Sequence, residues 1–290
     1  MKSLIQGQIV ATFRRQYLAE LSDGRLLTCL TRSRKNENAC GDIVEIHRIN
    51  ELQGVIECTL PRHTLLYRSD SRRQKLIAAN ISQIVVVLAS MPPFSDELLA
   101  RCLIAAHDQK LETLIVFNKC DLHQAAQAAR AQLDPYRAIG YRILELAARE
   151  NPAPLLPFLE GHTSILVGQS GMGKSTIINQ LIPGAQAATN EISSALNSGK
   201  HTTTHSRLYH LNPHSHLIDC PGIQAFGLHH LDFDAIEAGF VEFAAYQGQC
   251  HFHNCRHMHE PNCALKKTEQ EGKIHARRLK LFQEISQSRM

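Results

Sequence analysis

Residues 168–175 read GQSGMGKS, which fits the pattern G-x-x-x-x-G-K-[ST] at every required position. These residue types suit one task, the holding of a phosphate chain. Gly168, Gly171 and Gly173 let the backbone turn tightly and aim N–H groups at phosphate oxygens. Lys174 can reach the β and γ phosphates, and the Ser175 hydroxyl suits a magnesium ion. The apolar run SILV precedes the loop and TIINQL follows it, so the loop joins a strand to a helix whose start favours anions. Candidate nucleotide contacts therefore run from Gly168 through Gln169, Ser170, Gly171, Met172, Gly173, Lys174 and Ser175 to Thr176.

A phosphate loop alone leaves ATP and GTP equally open. The stretch NKCD, 118–121, closes that gap. The Asp121 carboxylate can accept two hydrogen bonds from the donor edge of guanine, a pattern adenine does not present. Asn118 can bond the base and the neighbouring loop, and the Lys119 stem can lie on the ring face, with Cys120 between it and Asp121. These residues follow the apolar run LIVF, where a loop at the carboxyl edge of a sheet belongs.

Two further stretches complete a hydrolytic site. DCPG, 219–222, follows the strand-like SHLI; Asp219 can hold magnesium through water and the Gly222 N–H can face the γ-phosphate. GKHTTT, 199–204, lies in a polar stretch that reads as a mobile loop able to close over the phosphates. Thr203 is the candidate for the magnesium and γ-phosphate contact, with Thr202 and Thr204 as alternatives. Ile223 stands where many GTPases place a water-orienting glutamine, and its side chain cannot hydrogen-bond water. His201 is therefore the candidate for positioning the attacking water.

A second chemistry lies near the carboxyl end. In CHFHNCRHMHEPNC, Cys250, Cys255 and Cys263 with one imidazole suit tetrahedral structural zinc. Spacing leaves the nitrogen ligand open among His251, His253, His257 and His259. A closed four-ligand site leaves no position for catalysis. Arg256, Lys266, Lys267, Lys273, Arg277, Arg278 and Lys280 surround the cluster and could meet a phosphate backbone.

The elements that must position these groups are legible in outline. Residues 1–67 hold five short strand-like runs separated by turn formers, which suggests a closed barrel, most simply an OB-fold, with an SH3-like barrel or a meander as the alternative. Loop residues Arg32, Arg34 and Lys35 could touch phosphates there or simply be solvated. Residues 68–80 read as a polar linker. Strands then alternate with helices to residue 228, which argues for a parallel α/β sheet. Residues 229–290 read as helical around the Cys/His cluster, closing on one basic helix, ALKKTEQEGKIHARRLKLFQEIS. The base-reading stretch precedes the phosphate loop, the reverse of the usual order, so the α/β domain reads as circularly permuted.

Composition sets the outer bounds. The 290 residues are 43% hydrophobic and 20% charged, enough for more than one core and against wholesale disorder. A net charge of +4 is a mild basic bias compatible with an RNA partner. No secretory pattern opens the chain and no run approaches the ~18 apolar residues of a membrane helix, so a cytoplasmic protein is expected. In that reducing compartment the cysteine cluster favours a metal over disulfides.

The order barrel, NKCD, GQSGMGKS, GKHTTT, DCPG, Cys/His cluster resembles the RsgA (YjeQ) family of circularly permuted GTPases over nearly the whole chain. The resemblance implies an OB-fold at residues 1–67, a permuted GTPase domain at 68–228 and a zinc-binding domain at 229–290. It implies hydrolysis of GTP to GDP and phosphate, with magnesium, in late maturation of the small ribosomal subunit. Stimulation by that subunit, contact with its rRNA and one structural zinc go with it, and it selects His257 as the nitrogen ligand. The family's guanine-supporting Ser-Ala-Lys is not distinct; LELAAREN stands there, with Ala147 or Ala148 the nearest match. A monomer is expected. The alternative reading is a guanine-nucleotide-sensing, RNA-binding scaffold with negligible turnover; a P-loop kinase or ATPase comes third, and NKCD argues against it.

Overall fold

A computed structural model describes residues 4–13, 16–32, 38–69, 74–185, 206–220 and 226–288. His201, Thr203 and Gly222 lie outside the described residues, as do Thr202, Thr204, Ile223, Arg34 and Lys35.

The first five strands are β1 (Leu4–Phe13), β2 (Gln16–Leu21), β3 (Leu26–Thr31), β4 (Ile43–Arg48) and β5 (Gln53–Thr59). They close in the order β1-β2-β3-β5-β4, with β4 pairing back to β1. The β3–β5 pair is parallel and the others antiparallel, the arrangement of an OB-type barrel. Alternation of side chains turns Ile9, Tyr17, Leu27, Cys29, Val44 and Ile46 inward, and they form a core of their own. Arg32, which the sequence leaves open for phosphate, is paired with Glu57 at 2.7 Å.

The linker expected at 68–80 is replaced in large part by strands, at residues 65–69 and 74–79. They form an antiparallel hairpin of β6 (Leu65–Ser69) and β7 (Gln74–Ala79). Its apolar residues explain it: Leu66, Ile77 and Ala78 are buried in the main core. The Ala79 N–H donates to the Cys40 carbonyl at 2.8 Å, tying the hairpin to the barrel.

The α/β unit comprises β8 (Gln83–Ala89), α1 (Asp96–Asp108), β9 (Glu112–Asn118), α2 (His123–Ala138), β10 (Arg142–Leu146), α3 (Leu156–Leu159), β11 (Thr163–Val167), α4 (Lys174–Leu181), β12 (Arg207–Asn212) and β13 (Ser215–Asp219). Its spatial order is β10-β9-β8-β11-β13-β12, parallel except for β12. The chain enters at β8 in the middle, steps outward to β10, then returns to β11 beside β8 and builds the other side. Strand order thus reverses between β8 and β11, and in open parallel sheets the crevice at such a point, outside the strands' carboxyl ends, takes the ligand. All seven residues of β8 are buried, as a strand covered on both faces requires.

Helices α5 (Phe233–Ala238), α6 (Ala264–Gln270) and α7 (Ala276–Gln287) follow, with a 3-10 turn at Val241–Tyr246. The single closing helix expected from sequence is broken in two: Gly272, at φ 73°, makes the turn between α6 and α7. Arg277 and Arg278 are also not the solvated phosphate contacts expected of them. Arg277 pairs with Asp96 and Arg278, 2% exposed, pairs with Glu242 at 2.6 Å, because α7 packs against the α/β unit along this face. Among the described residues no helix is long and apolar enough to cross a membrane.

Candidate nucleotide site and metal centre

The phosphate loop leaves β11 at the switch point and enters α4. Gly168 and Gly173 have φ of 147° and 98°, backbone regions that side chains rarely adopt. A Cβ on Gly168 would strike the Val87 carbonyl of β8, and one on Gly173 the Asn118 side-chain amide. Both glycines are thus required by close approach as well as by conformation. Lys174 donates to the carbonyls of Gly168 and Gln169 at 2.5 and 2.8 Å, so its ammonium lies within the loop it follows. Ser170 and Ser175 are exposed, Thr176 is half-buried, and Met172 is buried beneath the loop.

The loop after β9 is fastened to this one. The Asn118 amide donates to the Met172 carbonyl at 2.9 Å, and its oxygen accepts the Ala148 N–H at 3.0 Å. Lys119 donates to the carbonyls of Met91 and Gly171 at 2.6 and 2.7 Å. Two side chains of NKCD thus bind the phosphate-loop backbone from 54 and 52 residues away in sequence. Cys120 is half-buried and Asp121 is exposed at the end of the loop. Of the two alanines left open by the sequence, Ala148 is the one that contacts Asn118.

Asp219 ends β13 near Lys174. Burial pushes its carboxyl above the ordinary value, and Lys174 pulls the other way. Burial likewise lowers Lys174, opposed first by Asp219. Each charge is short of water and steadied by the other. A half-buried carboxylate of this kind is a fitting donor for a cation in the crevice.

The cysteine cluster converges on a point. The donor atoms of Cys250, Cys255, His257 and Cys263 lie within 4.8 Å of one another. Tetrahedral zinc with Zn–S of about 2.3 Å and Zn–N of about 2.0–2.1 Å would place nitrogen about 3.5 Å and sulfur about 3.8 Å from a neighbouring sulfur. The His257 Nδ1 lies 3.6, 3.6 and 3.3 Å from the three sulfurs, and Cys250 Sγ lies 4.0 Å from Cys263 Sγ. The residues therefore fit zinc. The Ala264 N–H at the start of α6 points at Cys250 Sγ, 3.3 Å away, the geometry of a donor to a thiolate. Glu237 on α5 completes the arrangement, with its carboxylate 3.3 Å from His257 Nε2, which leaves Nδ1 for the metal. Sequence spacing gives no sign of Glu237, because it lies on a helix outside the loop that carries the cluster. Glu237→Gln should lower zinc affinity by roughly 10–100-fold, measured by competition with a chromogenic chelator; unchanged affinity would mean His257 is oriented by its aromatic neighbours alone.

The family model for the RsgA GTPase matches residues 59–229, more than half of the chain. The chain belongs to the RsgA GTPase family. It is 52% identical over 281 residues to the small ribosomal subunit biogenesis GTPase RsgA of Nitrosospira multiformis, covering 97% of this chain and 90% of that one. The RsgA of Nitrosomonas europaea is 47% identical over 284 residues, with the same coverage. Among solved structures, YjeQ from Thermotoga maritima superimposes with a TM-score of 0.75 at 25% identity, covering 99% of both chains. YloQ, described as a circularly permuted GTPase, does so with a TM-score of 0.69 at 23% identity, covering 99% of this chain and 95% of that one.

Within this RsgA-family fold, Gln169, expected as a nucleotide contact, makes a further contact that sequence reasoning did not foresee. The Gln169 side chain leaves the phosphate loop and accepts the Ser95 N–H at 2.7 Å. Its position in the motif is one of the variable ones, so the pattern carries no signal for that contact.

Proposed function

We propose that this chain hydrolyses GTP to GDP and phosphate in late maturation of the small ribosomal subunit, and that the subunit stimulates its turnover. The single observation that carries the nucleotide assignment is Asn118. Its amide joins the loop that would read the base to the loop that would hold the phosphates, across the sheet's switch point. Asp121 accepts the two donors of guanine, Asn118 holds the base-side loop, and the Lys119 stem covers the ring face. Cys120 supplies backbone. The N–H groups from Gly168 to Thr176 surround the phosphates, and Lys174 reaches the β and γ groups as charge develops there. Magnesium, when bound at Ser175, Thr203 and Asp219, would supply charge neutralisation at the phosphate oxygens. Gly222, for an N–H at the γ-phosphate, and His201, for orienting the water, are the candidates outside the described residues. The relatives' names, which carry small-subunit biogenesis, support the partner.

Further proposals follow from the same reading. Cys250, Cys255, His257 and Cys263 hold one structural zinc. The exposed Arg256, Lys267, Lys273 and Lys280, with the half-buried Lys266, remain for rRNA contact once Arg277 and Arg278 are withdrawn. Barrel, GTPase and zinc units divide near residues 67 and 228, and the protein works as a cytoplasmic monomer. GTP turnover should rise severalfold on adding purified small ribosomal subunits. Turnover that is negligible with and without them would favour the nucleotide-sensing scaffold instead.

A further inference from the structure

Helix α1 is held by two distant parts of the chain. Its N-cap is Ser95, whose hydroxyl accepts the Leu98 N–H at 3.1 Å and whose own N–H is bound by Gln169 of the phosphate loop. The next residue, Asp96, accepts the Tyr136 hydroxyl from α2 and pairs with Arg277 Nε of α7, each at 2.5 Å. The side chains of Asp96 and Arg277 are 22% and 32% exposed, so solvent screens this pair less than it would a surface pair. Farther along α1, a Cβ on Gly239 would strike the backbone of Ile104. The residue after α5 thus rests directly on α1, in a contact only glycine permits. From α7 the packing runs on to the metal centre: Phe282 lies 5.9 Å from the ring of His257.

The phosphate loop and the zinc-bearing unit therefore grip the same first turn of one helix, at adjacent residues. Rotation or withdrawal of α1 must disturb both contacts together, because a packed helix moves as a rigid body rather than deforming. We propose that α1 is a strut through which the seating of the C-terminal unit sets the phosphate loop's grip on nucleotide, with Gln169 and Arg277 as positioning residues at its two contacts. This rests on the guanine-nucleotide reading above. Coupling of this kind is reciprocal: if seated α7 favours nucleotide, nucleotide favours seated α7 by the same factor. A partner that lifts or clamps the C-terminal unit would then change nucleotide affinity without touching the nucleotide.

The test uses the full-length, zinc-loaded protein. Hydrogen exchange of α7 amides in the wild type should slow by about fivefold on adding saturating GDP, the lower range of allosteric coupling. Gln169→Ala and Arg277→Ala should each weaken GDP binding by a similar factor, and the double variant should be no worse than the weaker single. Arg277→Lys, which keeps the charge, should recover most of the loss, and KM for GTP should move more than kcat. Unchanged α7 exchange on GDP binding, or losses that simply multiply in the double variant, would overturn the strut. Because the exchange measurement needs no substitution, a variant that misfolds leaves the question decided. A wild type that holds zinc but binds no guanine nucleotide would take down the nucleotide reading and the strut together, whereas normal GDP binding without an α7 response removes only the strut.

Discussion

Asp121→Asn should weaken GTP binding by roughly a hundred- to ten-thousand-fold and at the same time admit xanthosine triphosphate. The range follows from two charge-assisted hydrogen bonds, each contributing about 1.5–3 kcal/mol. Guanine presents a ring N–H and an exocyclic amine side by side, and a carboxylate accepts both. The asparagine amide keeps one acceptor and turns the other into a donor, which meets the guanine amine donor to donor. Xanthine carries a carbonyl at that position, so the same amide pairs with it. The substitution should leave the fold alone, since the loop is fixed by Asn118 and Lys119 while Asp121 is exposed. Asn118→Ala is the informative contrast. It cuts the links to Met172 and Ala148, so it should lose GTP without gaining the xanthine nucleotide. Displacement of a fluorescent guanine nucleotide measures all of these. GTP affinity within threefold of wild type in Asp121→Asn would mean that the base is read elsewhere.

What the sequence made legible was local. The phosphate loop is a contiguous motif whose glycines are dictated by backbone approach, so its residue types reveal it. The α/β pattern and the five barrel strands were legible for the same reason: strand and helix periodicity is written within a dozen residues. Contacts between segments were not. That Asn118 bonds a neighbouring loop was legible from its motif, but not that its partner is the Met172 carbonyl, 54 residues away. The Arg277–Arg278 pair looks like a solvated basic face because charge is visible in sequence and partners are not. Its partners, Asp96 and Glu242, come from two other elements. The pairing of β6 with β7 was hidden by the polar, basic residues between 68 and 75 in the sequence, which outweighed the buried Leu66 and Ile77 in a reading by composition. Residue spacing also left four histidines open as the zinc ligand. Of the four, the fold brings the Nδ1 of His257 to the three sulfurs, at a backbone φ of 61° that local sequence does not foretell.

The double variant Cys255→Ala, Cys263→Ala should lose zinc entirely, against about one ion per chain in the wild type, and should open the loop from 250 to 263 to proteolysis. Two of four donors remain, Cys250 and His257, and two ligands do not hold structural zinc against water. Burial foremost, then the neighbouring sulfurs of Cys263 and Cys250, pushes the Cys255 thiol up to about 12, so a cation is what lets these sulfurs ionise together. In isolated zinc fingers the ion supplies about 10–16 kcal/mol, and the fold collapses without it. Here Phe233 of α5, Phe240, Phe243 of the 3-10 turn and Phe282 of α7 form an aromatic core, so the loss should stop at the loop. One other tie survives within it. Burial opposes ionisation of Glu260, but the N–H groups of Arg256, Met258 and His259 hold its carboxyl down to about 2, from 4.5. A depressed folded value stabilises above the unfolded one and is lost only as pH falls from about 4.5 toward 2, so this tie is intact at neutral pH and the loosening there is the metal's share. Guanine-nucleotide affinity should fall no further than in Arg277→Ala, because no zinc ligand touches the phosphate loop and α1 is the route that joins them. Elemental analysis that still finds stoichiometric zinc in the double variant would place the metal on other donors. A collapse of nucleotide binding beyond the Arg277→Ala level would show that the zinc loop supports the α/β unit by a path other than α1.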